Sequence, residues 1–105
     1  RGIVRYGMKD VDGALADYNK AISLGLKSSA VYFNRGVIFH QKGQLSDAIE
    51  SYSRSIEIDP SNARAYYNRA ISKLIVDNYK EALQDLEISK RLGYSKAAEI
   101  ISQYY

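Results

Sequence analysis

The chain of 105 residues has no cysteine, no tryptophan, a single proline and a single histidine. The absence of cysteine excludes a disulfide scaffold and thiolate metal sites, and it leaves the redox compartment open. With Pro60 as the one proline, helices are rarely interrupted. No apolar run approaches the roughly 18 residues that a membrane-spanning helix needs, so no membrane insertion is expected. An excess of charge of one sign is also missing. The formal net charge is +3, with Asp and Glu spread among Lys and Arg, which leans toward acidic partners without demanding nucleic acid. Lys20, Lys27, Lys90 and Arg91 sit at helix ends, where they suit the helix dipole. They form no basic stripe with interleaved aromatics, so no nucleic acid is expected as a partner.

Catalysis is poorly provided for. His40 stands alone, and there is no Gly-rich phosphate loop. Asp10-Val11-Asp12-Gly13 opens like a calcium loop but lacks the remaining ligand spacing, and it reads as an interhelical turn. No carboxylate pair or Ser/His arrangement stands out at helical spacing. The chain is not expected to be an enzyme, and no metal or cofactor is expected.

What is present is tyrosine, ten in all, and a phrase that returns. "YFNRGV" at 32–37 comes back as "YYNRAI" at 66–71, an interval of 34 residues, and the chain opens on "RGI" one interval earlier. Aligned at that period, 29–62 and 63–96 form two full units, and 1–28 is a first unit lacking its opening positions. Columns agree where packing would matter: Gly2, Gly36 and Ala70; Ala14, Ala48 and Ala82; Tyr18, Tyr52 and Leu86; Ala21, Ser55 and Ser89. The chain starts without methionine and partway through a unit, which predicts that it is a piece of a longer protein.

Each unit reads as two helices. Over 30–42, Tyr32, Gly36 and Phe39 share one helical face; over 45–58, Leu45, Ala48, Ile49, Tyr52 and Ile56 make a second stripe. Lys42-Gly43 stops the first helix, and Asp77-Asn78 replaces that turn in the next unit. Pro60-Ser61-Asn62 separates units, while Gly25 and Gly93 end the second helices of the outer ones. Small residues on both helices let the axes cross at about 8 Å. One such hairpin cannot bury its own apolar faces, so neighbours must stack.

These units resemble tetratricopeptide repeats (TPRs). Tyr32, Gly36, Phe39, Ala48, Tyr52, Ser55 and Pro60 match that family's pattern in the second unit, and Tyr66, Ala70, Ala82, Leu86 and Ser89 in the third. The first matches with Gly2, Ala14, Tyr18 and Ala21. Departures are Lys73, where an aromatic is usual, Tyr94 and Leu26, where proline is usual, and Gly13 inside a second helix. The resemblance covers 1–96 and implies an all-α, right-handed solenoid of antiparallel helix pairs, about three repeats with the first truncated. Residues 95–105 read as a capping helix, N-capped by Ser95, that covers the last repeat with Ile100, Ile101 and Tyr104; a truncated fourth repeat is the alternative.

Surplus apolar residues point to binding. Phe33, Val37 and His40 form a second face of their helix, as do Tyr67, Ile71 and Leu74, with Ile3 and Tyr6 in the first unit. For Phe33 and Tyr67, packing between adjacent repeats is the competing reading. The TPR resemblance implies that such positions line a concave groove that binds extended or helical peptides. By that reading the groove is lined by Phe33, Asn34, Val37, His40, Arg64, Tyr67, Asn68 and Ile71, flanked by Ala30, Gln41, Leu74 and Ile75. Asn34 and Asn68 can each donate to and accept from a peptide backbone. The implied function is a scaffold that holds a partner protein by a peptide segment.

Some TPR domains clamp an acidic C-terminal carboxylate of heat-shock chaperones. Asn34 and Arg64 match that pattern, whereas Ile3 stands where Asn is needed and Asn68 where Arg is needed. Self-association through exposed repeat ends, including Tyr104-Tyr105, is a further alternative. The column of Arg1, Arg35 and Arg69 is usually Leu in the family; Asp17 is a candidate partner for Arg35.

Overall fold

The computed structural model describes the backbone of residues 2–105 and side chains from Asp12 onward. Its elements are α1 (Gly2–Ser23), α2 (Ser29–Gln41), α3 (Leu45–Ile58), α4 (Ala63–Ile75), α5 (Tyr79–Arg91) and α6 (Ser95–Tyr104), with no strand among the described residues. Helices α2 and α3 form one antiparallel hairpin, and α4 and α5 the next. The hairpins stack through α3 against α4, and α6 lies on α5.

Local chemistry sets the helix ends. Ser28 caps α2 by accepting from the Val31 N–H at 3.3 Å. Asn62 caps α4 by accepting from the N–H groups of Arg64 at 3.1 Å and Ala65 at 3.3 Å. The hairpin turns need a left-handed residue: Gly43 supplies it at φ 77°, and Asp77 at φ 65° is the one non-glycine residue described with positive φ.

The first unit departs from the expected pattern. The turn read at Asp10–Gly13 is absent, because α1 runs unbroken from Gly2 to Ser23. The column that holds Gly43 and Asp77 holds Lys9 here. A lysine enters the left-handed region only at a steric cost, so the stop signal is missing. Gly2, Ile3 and Tyr6, assigned packing and groove roles from sequence, lie outside the residues whose side chains are described.

The close helix crossings fall on the small columns. Ala48, Ala70 and Ala82 have no exposed surface. A Cβ added at Gly36 would stand 2.6 Å from the Tyr52 ring, so glycine is what lets that ring lie flat on α2. In the next hairpin Ala70 and Leu86 take the same two places. The serines of the fourth column are more than small. Ser55 donates to the Ser29 carbonyl at 2.9 Å and Ser89 to the Ala63 carbonyl at 2.8 Å, pinning the end of each second helix to the start of its first.

Arg35 does not use Asp17. Its Nε donates to Ser51 at 3.0 Å in its own hairpin, its Nη1 to Asn19 at 3.0 Å on α1, and its Nη2 to Glu50 at 3.2 Å. Arg69 repeats the pattern, reaching forward to Asp85 and back to Ser53 at 3.0 Å. Asp17, Ser51 and Asp85 share one column, and so do Asn19 and Ser53. Each arginine therefore bridges its own second helix and that of the preceding repeat.

At the C-terminal end, Ile100 and Ile101 pack on the cluster of Ala70, Ala82, Leu86 and Ala97. Tyr104 does not join them and is 69% exposed. Nor does Ser95 cap α6. It is the first helical residue, preceded by Tyr94, whose ring is held edge-on against Tyr67 with centroids 4.9 Å apart. No side-chain cap bond marks the start of that helix.

Candidate functional site

The site is built where the first helices of the two full repeats face each other. Val37, His40 and Gln41 of α2 meet Tyr67, Asn68 and Ile71 of α4 around an open pocket of about 300 Å³, and Tyr52 of α3 reaches its floor. Five residues singled out from sequence thus lie together: Val37, His40, Tyr67, Asn68 and Ile71. They recur at helical spacing along one face of each helix, which is why a shared groove brings them side by side.

The other three lie beside the pocket without lining it. Phe33 is half-buried against Tyr52, ring centroids 5.8 Å apart, and the exposed Arg64 guanidinium sits over its ring at 5.6 Å. Asn34 is exposed on the adjoining face. Phe33 and Arg64 come from neighbouring repeats, so this contact also stitches the two repeats together. Tyr67 has a double position as well. It lines the pocket while its ring packs on Tyr94.

Tyr52 is the site residue that sequence reasoning assigned to the core alone. It is 2% exposed, and burial pushes its phenol up to about 12, against a smaller opposing pull from the Asn68 side chain. Its placement follows from Gly36, since the missing Cβ lets the ring slide under α2 to the pocket. The signal for this was in the pairing of Gly36 with Tyr52 in one hairpin and Ala70 with Leu86 in the other.

His40 Nδ1 lies 3.1 Å from the hydroxyl of Ser72, a residue with no exposed surface. The imidazole is anchored by a hydroxyl, not by a carboxylate of the kind that orients a general base. No cluster of metal-ligating side chains occurs among the described residues. No described helix is long and apolar enough to cross a membrane. Among the described residues the pocket lining contains aliphatic, aromatic, amide and imidazole groups, and no Lys, Arg, Asp or Glu. Such a surface can bury an apolar side chain and hydrogen-bond a backbone, but it offers no fixed charge to neutralise.

The stacked hairpins and the groove between their first helices define a helical-repeat scaffold of the protein-interaction class. Residues 36–73 match the family model for the TPR repeat. The chain folds as an all-α solenoid of the tetratricopeptide-repeat type. No curated protein matches it in a sequence search. Solved structures match it closely in fold. The TPR domain of Arabidopsis OM64 aligns over 98% of this chain and 86% of its own, with a TM-score of 0.82 and 26% identity. MamA aligns over 89% of this chain with a TM-score of 0.81 and 25% identity, and the match spans 56% of MamA. The first TPR of Spaghetti (RPAP3), bound to the HSP90 peptide SRMEEVD, aligns over 97% of this chain and 82% of its own, with a TM-score of 0.84 and 17% identity.

Proposed function

We propose that this chain holds a partner protein by a short segment laid in the groove between α2 and α4. One observation carries the reading. Side chains from two successive repeats converge on an open, uncharged pocket of about 300 Å³, which is enough room for one large apolar side chain. Ile71 and Val37 are held there half-buried although neither belongs to the buried core. Asn68 and Gln41 add amides able to read a peptide backbone.

The carboxylate-clamp alternative has less support. It needs several cations, and among the described residues Arg64 is the one beside a pocket lined by no Lys or Arg, its guanidinium drawn over the Phe33 ring. The test is to pan a random peptide library against wild type and against Ile71→Glu, with the peptide SRMEEVD measured alongside. The expected result is a set of enriched apolar peptides that bind wild type, lose at least tenfold in affinity on Ile71→Glu at unchanged helicity, and outbind SRMEEVD. Absence of enrichment, or equal binding to both proteins, overturns the groove reading. Saturable binding of SRMEEVD alone replaces it with the clamp.

A further inference from the structure

We infer that the turn tips Leu24, Ile58 and Leu92 form an apolar ladder that docks on the surface of an anionic lipid bilayer. The ladder lies on the edge of the stack where the second helices end, and none of the three residues lines the groove pocket. It is a separate surface, and it goes beyond the groove reading.

Three observations lead to it. The first is a column of exposed apolar side chains. Leu24, Ile58 and Leu92 recur at the 34-residue period, where α1, α3 and α5 end, and they are 77%, 41% and 43% exposed. None belongs to the buried core. The second is charge. Lys20 and Lys27 flank Leu24, and Lys90, Arg91 and Lys96 flank Leu92, all of them exposed. Among the described residues none of these five is in an ion pair. The acids beside Ile58 are already engaged. Glu57 lies 3.5 Å from Arg54, and Asp59 accepts from the Ser61 N–H at 3.1 Å and its hydroxyl at 2.7 Å. Asp17, Glu87 and Glu99 are the other acids within a turn of these cations, and all three are exposed. The third is that the turn backbone is satisfied internally. The N–H groups of Leu24, Gly25 and Leu26 donate to Lys20, Ile22 and Ala21, each at 3.0 Å, and those of Leu92, Gly93 and Tyr94 donate to Ile88, Lys90 and Ser89 at 2.9–3.1 Å.

These observations select the occupant. A peptide laid on this edge finds those N–H donors already taken, so it gains little from the turn backbone. A second copy of the chain would set like charges against one another. An anionic bilayer uses what the tips do offer. The Leu and Ile side chains enter the boundary between headgroups and acyl chains, while the Lys and Arg heads stay level with the lipid phosphates. Three tips always admit one plane, so a flat surface can engage them together. Residues 2–11 lie toward the other end of α1, about 20 Å or more from Leu24 along the helix, so the ladder is surrounded by residues whose side chains are described.

Wild type and Leu24→Ser/Ile58→Ser/Leu92→Ser are sedimented with vesicles of phosphatidylcholine alone and with vesicles carrying about 30 mol % phosphatidylserine. Wild type is expected to sediment with the anionic vesicles, to stay in solution with the neutral ones, and to be released as NaCl rises from about 0.1 M to about 0.5 M. The triple serine variant should bind the anionic vesicles roughly fivefold or more weakly at unchanged helicity, because each tip loses apolar surface that the acyl boundary would cover. Lys90→Gln/Arg91→Gln/Lys96→Gln should weaken binding at low salt and flatten its salt dependence. No wild-type binding to the anionic vesicles, equal binding to both kinds, or full retention by the triple serine variant overturns the inference. Acidic library peptides that bind wild type and are lost on the triple serine variant, with no vesicle binding, would overturn it too and give the ladder to a protein segment. The lipid and salt comparisons use wild type alone and stand whether or not a variant folds. None of these outcomes bears on the groove reading, which Ile71→Glu tests.

Discussion

Arg69 grips Asp85 with two parallel bonds, Nε to Oδ2 at 2.8 Å and Nη2 to Oδ1 at 2.7 Å, and the Asp85 side chain is only 4% exposed. Lys73 Nζ lies 2.9 Å from the same carboxylate and 3.6 Å from Glu81. The charges explain one another across the repeats. In the preceding hairpin Phe39 stands where Lys73 stands here, and Ser51 where Asp85 stands. A lysine in an aromatic's place needs an acid opposite it, and that acid takes the bidentate arginine as well.

The two hairpins therefore hold alternative solutions of one column pair, and exchanging them is a test. Asp85→Ser alone leaves Lys73 and Arg69 without their buried acid and is expected to cost about 3–5 kcal/mol. Adding Lys73→Phe installs the Phe39/Ser51 arrangement, and the double variant should come back to within about 1 kcal/mol of wild type, since a buried ion pair is worth little more than apolar packing of similar volume. Urea unfolding of the four proteins measures the coupling. If Lys73→Phe fails to rescue, the columns are not exchangeable.

A second pair is exchangeable in the same way. Gly36→Ala sets a methyl group 2.6 Å from the buried Tyr52 ring. Overpacking of about 1–3 kcal/mol then outweighs the roughly 1 kcal/mol of helix propensity gained. In a Tyr52→Leu background the ring is gone and the pair becomes that of Ala70 and Leu86. There Gly36→Ala is expected to stabilise. Thermal unfolding decides it by the sign of the change in the two backgrounds, and one sign in both would show that the ring is not what requires glycine.

How much of this was legible depends on how far each cause lies along the chain. The period, the helix pairs of the two full repeats and the stops at Gly43 and Asp77 are local signals, and all could be read. The continuity of α1 was missed because Asp10–Gly13 is rich in turn formers while the decisive residue, Lys9, matters only through its column. The partners of Arg35 were missed for a different reason. A long guanidinium can reach a second helix in its own hairpin or in the one before, and the column of Asp17 and Ser51 offers both. Packing, not sequence, decides that Nε goes forward to Ser51. Most groove positions follow from helical phase. Tyr52 at the floor does not, because it depends on a ring passing beneath another helix.

That buried ring also sets a pH dependence. The Tyr52 phenol is pushed from its ordinary 10.0 to about 12, first by burial. The folded protein thus keeps this proton to a higher pH than the unfolded chain does. The associated stability is fully present below pH 10 and drains away between pH 10 and 12, by about 2 kcal/mol at roughly 1.4 kcal/mol per unit. Tyr52→Phe has no such proton to lose. Urea unfolding at pH 9.5 and 11.5 should show wild type losing about 2 kcal/mol more than Tyr52→Phe over that interval. Parallel losses would mean that the phenol ionises as freely in the folded protein as in the unfolded one.

The unbroken course of α1 makes Gly13 a weak point. It lies in mid-helix, and among the described residues nothing beyond its own helix backbone and chain neighbours comes within 4 Å of the place where a Cβ would be. It is not among the glycines with positive φ. Among the described residues nothing requires glycine there, and the residue costs the helix about 0.5–1 kcal/mol relative to alanine. Gly13→Ala should raise the melting temperature by a few degrees, about 4 °C for a domain of this size. It should also deepen the helical signal at 222 nm. Circular dichroism melting of the two proteins checks it, and an unchanged melting temperature would mean that something other than helix propensity holds glycine at this position.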